Sequence, residues 1–459
     1  MSLPSAGRAV LVLALLLGAP RGAPAQQDST TRDSLSARVD ALEQRLRVLT
    51  RLRELEADSA REAARTRPGV AAGADGFVLR SADGRWRLRV GGYFQADGRF
   101  YLHDSLALGI NSLIIRRARP IVEGTVFQYF DFRIMPDFGN GQPTIYEAYL
   151  EARLLPALAI RAGKYKPPIG LERLQSVTDV RFIERGFPTN LVPNRDVGFQ
   201  ASGEFGGGVL AYAVGVFNGV PDLGFGDVDA SDAKEVAGRL FAVPFIQRGR
   251  HAPFDLGVGV AGSIGNERGT VAAPGTSALR TPGQLTAFRY RSNGTVAGTT
   301  IEDGRRSRIE PQAYLYRGSF GLLAQYTVSR HTVRRDSAIA KIRHSGWQVA
   351  ASLFLTGEKA SFRSVTPKKL FDPRAGHWGA LEIAARVQET SVADAAFPVF
   401  ADPGASVQRI RAWGIGANWH LARGVKLMVD YERATFLKGA TAGNRPPEQF
   451  LATRLQTVF

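Results

Sequence analysis

The chain contains no cysteine among its 459 residues, which excludes a disulfide framework, a cysteine-ligated metal centre and a thiol nucleophile. Lysine is also scarce: the chain has only nine, so 50 of its 59 basic residues are arginine. After residue 20 there is no apolar run long enough for a membrane-spanning helix. This does not exclude a membrane β-barrel, because the strands of a barrel turn half of their side chains away from lipid.

The first 25 residues have the pattern of a removable export signal. Arg8 precedes an apolar core at residues 10–17, and Ala23 to Ala25 supply the small residues of a cleavage site. Its removal takes away two arginines and leaves a net charge of about +15 from the +17 of the full chain. An exported protein with this excess is expected to meet outer-membrane lipid, lipopolysaccharide or small inorganic anions, and no nucleic acid.

Residues 26–65 predict a short periplasmic coiled-coil helix. Apolar side chains recur there at alternating spacings of four and three, the pattern of a helical seam, at Leu35, Val39, Leu42, Leu46 and Leu49. We expect this segment to associate as a trimer. Because only about two heptads are regular, a solvated amphipathic helix or a disordered arm is an equal alternative. Residues 66–76 contain proline, glycine and alanine without a pattern and predict a linker.

From residue 77 onwards, side chains alternate with a period of two. Between Arg85 and Tyr101 every charged residue has an odd number, and the even-numbered face carries no charge. These 17 residues far exceed a typical strand of about five or six residues, and a closed barrel leaves no exposed edge on such strands. We therefore predict an all-β fold, a transmembrane antiparallel β-barrel over residues 77–459, in preference to a soluble β-sandwich or β-solenoid.

Repeated alternation predicts sixteen strands. They lie at residues 86–101, 112–126, 127–137, 144–154, 158–165, 197–205, 209–218, 235–245, 254–264, 308–317, 320–331, 346–356, 377–391, 409–421, 425–436 and 449–459. Connections after even-numbered strands should be short periplasmic turns. Residues 357–376 are too long and polar for one, which means an enlarged connection or an error in the count. The last strand ends on Phe459, as in an outer-membrane assembly signal.

Basic residues on the expected lumen face and in the long connection after the fifth strand form a candidate anion pathway. They are Arg89, Arg99, Arg117, Arg119, Arg133, Arg153, Arg161, Lys164, Lys166, Arg173, Arg181, Arg185 and Arg195. Cations that line a narrow channel replace part of the hydration that an anion loses on entry. Two alternatives stay open: nearby acids such as Glu172, Asp179, Glu184 and Asp196 neutralise these cations, or the outermost arginines bind lipopolysaccharide phosphates.

Several co-linear motifs in this region carry a family resemblance. They are GKYKPPIGLERL at 163–174, FIERGFPTNLVPNRDVG at 182–198 and AYAVGVFNGVPD at 211–222. Over residues 77–459 the chain resembles the phosphate-selective porins O and P, trimeric outer-membrane channels of bacteria. The resemblance implies a sixteen-stranded trimer that passes phosphate or polyphosphate, with its third outer loop narrowing the pore.

The lysine-containing constriction of that family can be matched here only to Lys164 and Lys166, together with Arg117, Arg119 and the loop arginines. Arginine binds phosphate through a bidentate fork, so an arginine-rich pathway could retain phosphate where a lysine-rich one releases it. The assignment of the substrate is therefore weaker than that of the family.

Sequence motifs of catalysis are absent, including G-x-S-x-G, H-E-x-x-H and the P-loop. The six histidines, at positions 103, 251, 331, 344, 377 and 420, lack ligand spacing, so we expect no enzyme, no cofactor and no metal. The acidic run at 227–232 fits a solvated loop better than a calcium loop.

We predict a bacterial outer-membrane porin that passes small anions by passive diffusion. A porin without phosphate selectivity, a structural barrel that tethers the envelope, and an outer-membrane hydrolase are the alternatives.

Overall fold

A computed structural model describes residues 29–73, 76–104, 108–226, 231–246 and 254–459. The predicted export signal lies outside the described residues, as do four residues of the acidic run, 227–230. The chain forms two compact units, Met1–Arg67 and Pro68–Phe459.

The first unit contains one long helix, α1 (Ser29–Thr66). Ion pairs one turn apart, such as Arg47 with Glu43 at 3.3 Å, support its solvated side. The seam side chains Leu42 and Leu46 are 63 % and 68 % exposed, so this apolar stripe is open to partner helices. Its self-association stays a prediction. Within the described ranges, no helix is both long and apolar enough to cross a membrane.

The second unit is built of antiparallel strands. In chain order they are β1 Gly69–Gly73, β2 Gly76–Arg80, β3 Arg87–Leu102, β4 Ser112–Val126, β5 Phe130–Asp137, β6 Thr144–Leu155, β7 Leu158–Tyr165, β8 Asp196–Phe205, β9 Leu210–Phe217, β10 Glu235–Ala242, β11 Asp255–Arg268, β12 Leu279–Arg280, β13 Thr286–Phe288, β14 Ile301–Arg317, β15 Phe320–Arg335, β16 Ala338–Phe354, β17 Ala380–Val392, β18 Val407–Ala422, β19 Val425–Ala440, β20 Gly443–Asn444 and β21 Glu448–Val458.

Sixteen of these strands close a barrel within the described residues: β3–β11, β14–β19 and β21. Each pairs with the next one in sequence, and β21 pairs back onto β3, with Phe450 opposite Tyr101. The other five strands are short additions; β1 and β2 form a hairpin that pairs with the start of β3.

The predicted strand count is confirmed, since every predicted strand overlaps one barrel strand. Residues 357–376 belong to an enlarged connection at the end of the barrel that carries the short turns. There the backbone N–H of Ala360 donates to Gly318 O, in the turn between β14 and β15, at 2.8 Å. Within the predicted linker, Gly69–Gly73 form β1, because main-chain pairing with β2 needs no alternation of side chains.

The two faces of the barrel differ in polarity. On β16, Val349 and Leu353 face outward and are 38 % and 40 % exposed, whereas Gln348 and Ser352 face inward and are buried. An apolar exterior around a polar interior is the reverse of a soluble protein and suits contact with lipid. Aromatic residues such as Trp378 lie at the end that carries the short turns.

Candidate functional site

The connection between β7 and β8, residues 166–195, lies against the inner wall of the barrel; we call it the inner loop. Its main chain bonds to polar residues of β14, β17 and β21, in the pairs Leu171 N to Glu310 Oε1 (2.7 Å), Phe187 N to Gln388 Oε1 (2.8 Å) and Arg454 Nη1 to Ile183 O (2.9 Å). Because these strands are spread around the barrel, the inner loop extends across its interior.

Lys166 and Arg185, two residues of the predicted anion pathway, stabilise the conformation of the inner loop by hydrogen bonds. The loop contains a one-turn helix, α2 (Leu171–Leu174), whose final carbonyls have no partners within the helix. Lys166 Nζ donates to Leu174 O at 3.0 Å and to Gln175 O at 3.1 Å. Arg185 Nη2 also donates to Gln175 O, at 2.8 Å. These donors satisfy carbonyl groups that the one-turn helix leaves without partners.

Arginines converge on a cavity of about 430 Å³ on the outer-loop side of the inner loop. We call it the loop-side cavity. It is lined by six arginines, Arg99, Arg116, Arg117, Arg173, Arg185 and Arg280. Among its described lining residues, Glu184 is the one acid. The cavity therefore carries a strong excess of positive charge.

Glu184 is the centre of the charge network in this cavity. Its carboxylate lies 2.8 Å from Arg99 Nη2, 2.7 Å from Arg116 Nε and 4.0 Å from Arg117 Nη2. Burial opposes its ionisation, but the three nearby guanidinium groups outweigh this effect and hold the pKa of Glu184 well below its usual range. Glu184 thus stays charged at neutral pH and compensates only one of the six arginines.

Three of the lining arginines have unused hydrogen-bond donors. The Nε atoms of Arg99, Arg117 and Arg173 are buried and have no hydrogen-bond partner. Other atoms of Arg173 are held by the inner loop, since Nη2 donates to Thr189 O at 2.7 Å. Buried donors without partners are costly.

Side-chain alternation does not reveal Arg116, because β4 contains an irregularity. Gln95 of β3 pairs with Arg117 of β4, and the adjacent Ala96 pairs with Ile115. Arg116 is therefore the extra residue of a β-bulge in β4. Consecutive side chains of a regular strand face opposite sides of the sheet, but the bulge lets both Arg116 and Arg117 reach the lumen. Four consecutive polar-or-small positions, RRAR at 116–119, are the signal in the sequence. Alternation does not reveal Arg280 either, since it comes from the long connection between β11 and β14.

A second cavity of about 180 Å³ lies on the opposite side of the inner loop, towards the short turns. Its lining is again mostly basic: the cations are Arg89, Arg181, Arg363, Arg423 and Lys426, and the acids are Asp179 and Glu382. We call it the turn-side cavity. The inner loop contributes to the walls of both cavities and separates them.

Most of the other predicted cations form ion pairs with acids on the barrel wall. The pairs are Arg89–Glu123 (2.5 Å), Arg119–Asp137 (2.7 Å), Arg133–Glu123 (2.8 Å), Arg153–Asp131 (2.6 Å), Arg161–Glu151 (2.6 Å), Arg181–Glu382 (3.3 Å) and Arg195–Glu147 (2.7 Å). Lys164 Nζ lies 3.5 Å from the centre of the Phe225 ring. Of the thirteen predicted residues, the loop-side cavity brings together Arg99, Arg117, Arg173 and Arg185.

The sequence matches the model of a known protein family. The model of the family described as "Phosphate-selective porin O and P" matches residues 88–459. No curated protein matched the sequence.

Similar folds occur among solved outer-membrane proteins. The outer-membrane channel DcaP of Acinetobacter baumannii has a TM-score of 0.53 and 11 % identity, covering 85 % of this chain and all of that one. A loop-deletion mutant of Vibrio cholerae OmpT (TM-score 0.51) and an anion-selective porin from Comamonas acidovorans (0.50) are each 11 % identical, and each covers 82 % of this chain and all of its own. At this identity the likeness concerns the fold.

Proposed function

This chain belongs to the family of phosphate-selective porins O and P, and from that premise we propose that it is an outer-membrane porin selective for small anions. The resemblance of its sequence motifs to that family is confirmed. The anions move down their own gradient through the loop-side cavity, past the inner loop and through the turn-side cavity. Phosphate or polyphosphate is the proposed substrate.

The observation that carries this proposal is the charge of the loop-side cavity, with six arginines against one carboxylate. Fixed cations in a confined, partly dehydrated space attract anions and repel cations. Ion pairs on the barrel wall neutralise many other arginines, so selectivity rests on the cavity rather than on the whole basic surface.

Phosphate is the anion that best fits the geometry of these side chains. An arginine fork bonds two oxygens of one phosphate, and six arginines line the loop-side cavity. Binding by several arginines also slows release, so the proposal includes a resident phosphate that lowers the chloride current.

The inner loop is the proposed constriction. Its residues line both cavities, and its backbone is bonded to the barrel wall on several sides. We propose that this third outer loop, fixed in this way, narrows the pore.

Three further properties of the protein are proposals at the level of the whole chain. We propose that it forms a homotrimer, that residues 26–65 lie in the periplasm, and that no catalytic step takes place. The family and the barrel are those of passive channels. Ion flux without substrate turnover would argue against a hydrolase, and an intact envelope after deletion of residues 26–75 would argue against a structural tether.

The test is the reversal potential of the purified protein in planar bilayers under a chloride gradient, repeated with increasing phosphate. We expect a preference for anions and a chloride current that low concentrations of phosphate block. The variant Arg116→Ala should weaken the phosphate block and lower the anion preference. Arg153→Ala is the matched control, because Arg153 is half-exposed and pairs with Asp131 outside the loop-side cavity.

The results of this experiment distinguish the proposed function from its alternatives. Anion preference without phosphate block leaves a general anion porin and contradicts the phosphate assignment. Cation preference contradicts the mechanism and leaves the fold and family intact. An equal effect of Arg116→Ala and Arg153→Ala would place the selectivity outside the loop-side cavity.

A further inference from the structure

Two histidines and an aspartate meet inside the barrel at a place that the anion pathway does not use. His331 lies on β15 and His344 on the neighbouring strand β16, and the centres of their rings are 4.9 Å apart. Asp222, from the connection between β9 and β10, faces them, with its Oδ2 atom 3.5 Å from His331 Nε2. One side-chain atom of each residue lies within 4.8 Å of the other two. All three side chains are almost fully buried.

Two polar side-chain atoms of these residues have no hydrogen-bond partner. Asp222 Oδ2 and His344 Nδ1 are buried without a hydrogen-bond partner. The other nitrogen of His344 is engaged, because Nε2 lies 2.9 Å from the hydroxyl oxygen of Tyr290. When Nε2 carries the proton and donates to that oxygen, the lone pair of Nδ1 is free to bind a metal ion.

His331 is oriented in the manner of a metal ligand. Its Nδ1 atom lies 2.7 Å from Glu302 Oε1, and a carboxylate in this position fixes the ring and its tautomer. The lone pair is then on Nε2, which lies 3.5 Å from Asp222 Oδ2 and 3.3 Å from the hydroxyl oxygen of Ser329. Two lone pairs facing each other repel unless a proton or a cation lies between them. Their separation of 3.5 Å matches that of two ligands around a tetrahedral ion with bonds of about 2.0–2.1 Å.

The charges around these three residues also favour the binding of a divalent cation. Four buried carboxylates surround two buried guanidinium groups, in the contacts of Arg306 with Glu235, Glu267 and Glu302 and of Arg308 with Asp222 and Glu235. With both histidines neutral and all four carboxylates ionised, this cluster has two excess negative charges. Excess charge in a buried site is costly, and one divalent ion would balance it.

We propose that Asp222, His331 and His344 form a binding site for a divalent transition metal such as Zn²⁺. Imidazole nitrogens and a carboxylate are ligands that suit this class of ion, and three protein ligands leave a fourth position for water. Glu302 and Arg308 act as positioning residues, since they hold His331 and the other oxygen of Asp222.

The proposed metal would fix an outer loop to the barrel wall next to the anion pathway. Residues adjacent to Asp222 bond to the inner loop: Leu223 N donates to Val192 O at 3.0 Å, and Asn194 N donates to Gly224 O at 2.9 Å. Leu223 also lines the loop-side cavity. A metal bound to Asp222 therefore stabilises one wall of that cavity. The metal site itself does not depend on the identity of the transported anion.

The test uses the purified full chain, stripped of metal with a chelator and then titrated with Zn²⁺ or Co²⁺. We expect one metal ion per chain and, with Co²⁺, the visible absorption bands of a tetrahedral site. The variants Asp222→Asn and His344→Gln should each bind Zn²⁺ more than about tenfold more weakly, and Glu302→Gln about 10–100-fold more weakly. His420→Gln is the matched control, because His420 is buried on the inner face of β18 beside Glu382, away from the cluster.

The proposal is contradicted if the folded wild-type chain binds no Zn²⁺ and develops no tetrahedral Co²⁺ bands. It is equally contradicted if His344→Gln and His420→Gln bind Zn²⁺ alike. Variants that fail to fold leave the wild-type Co²⁺ spectrum as the deciding measurement. In the absence of bound metal, the two excess charges must be balanced by protons, and the cluster is then an ordinary buried network.

Discussion

At the scale of single residues, Glu184 determines how much positive charge the loop-side cavity keeps. The variant Glu184→Gln should increase anion preference and strengthen the phosphate block, because Arg99, Arg116 and Arg117 lose their shared carboxylate. It should also lower thermal stability, since removing one partner of a buried ion pair costs about 3–5 kcal/mol. Reversal potentials and the temperature of heat-induced unfolding measure the two effects.

The control for this variant is Glu389→Gln. Glu389 pairs with the exposed Arg411 at 2.5 Å, away from both cavities, so the same chemical change should leave selectivity and block unaffected. If phosphate protects Glu184→Gln against heat more than it protects the wild type, the anion has replaced the lost carboxylate. A weaker phosphate block in Glu184→Gln would contradict the assignment of the cavity as the anion site.

Lys166 gives the inner loop a dependence on pH. Burial, together with the nearby Arg195 and Arg185, holds the pKa of Lys166 well below its usual range. Between that lowered pKa and the value of about 10.4 for an unfolded lysine, the unfolded state binds one more proton. Stability therefore rises with pH in this window, because the buried positive charge is lost from the folded state.

The variant Lys166→Met isolates this effect, since it keeps the apolar stem and removes the titrating group. We expect the unfolding temperature of the wild type to rise relative to that of Lys166→Met as the pH increases from neutral towards about 10. Lys341→Met, on an exposed position of β16, should show no such trend. A constant difference between wild type and Lys166→Met over this range would contradict a lowered pKa of Lys166 in the folded state.

At the scale of structural elements, the inner loop is stabilised by wall side chains that accept from its backbone. Gln388 accepts from Phe187 N at 2.8 Å and donates to Glu432 at 3.0 Å. Gln388→Leu leaves a buried N–H unpaired, at a cost of about 1–3 kcal/mol. We expect a more mobile inner loop and larger fluctuations of the single-channel current.

Gln312→Leu is the control for the inner-loop variant. Gln312 is also buried on the inner wall, but its partner is Arg239 of β10 rather than the inner loop. Quiet single-channel currents in both variants would mean that the loop does not need this hydrogen bond to stay in place.

At the scale of the whole molecule, α1 is the segment that we expect to hold a trimer together. Its exposed seam would be buried between three helices, and a charge placed in the seam would have to be buried with it. We predict that Leu42→Asp combined with Leu46→Asp shifts the protein from trimers towards monomers, as measured by light scattering of the detergent-solubilised full chain.

The matched variant is Ala41→Asp combined with Gln44→Asp, which adds the same two charges outside the seam. This variant should remain as trimeric as the wild type. If all three proteins are equally trimeric, the barrel alone determines the assembly and α1 has another role.

The sequence by itself determined the architecture of the barrel. Because side chains on a strand alternate with a period of two, Gln348 and Val349 could be assigned to opposite faces, and all sixteen strands could be counted. Local alternation could not reveal the bulge at Arg116, because an extra residue changes the faces only through its pairing with the neighbouring strand.

Only the tertiary structure decided which charges are compensated. Arg153 and Arg173 look alike in the sequence, yet Arg153 meets Asp131, while Arg173 bonds to a carbonyl group of the inner loop and lines a cavity. In the same way, His331 and His344 approach Asp222 although the aspartate is more than 100 residues away. Such contacts depend on strand register and on the path of long connections, which no local pattern encodes.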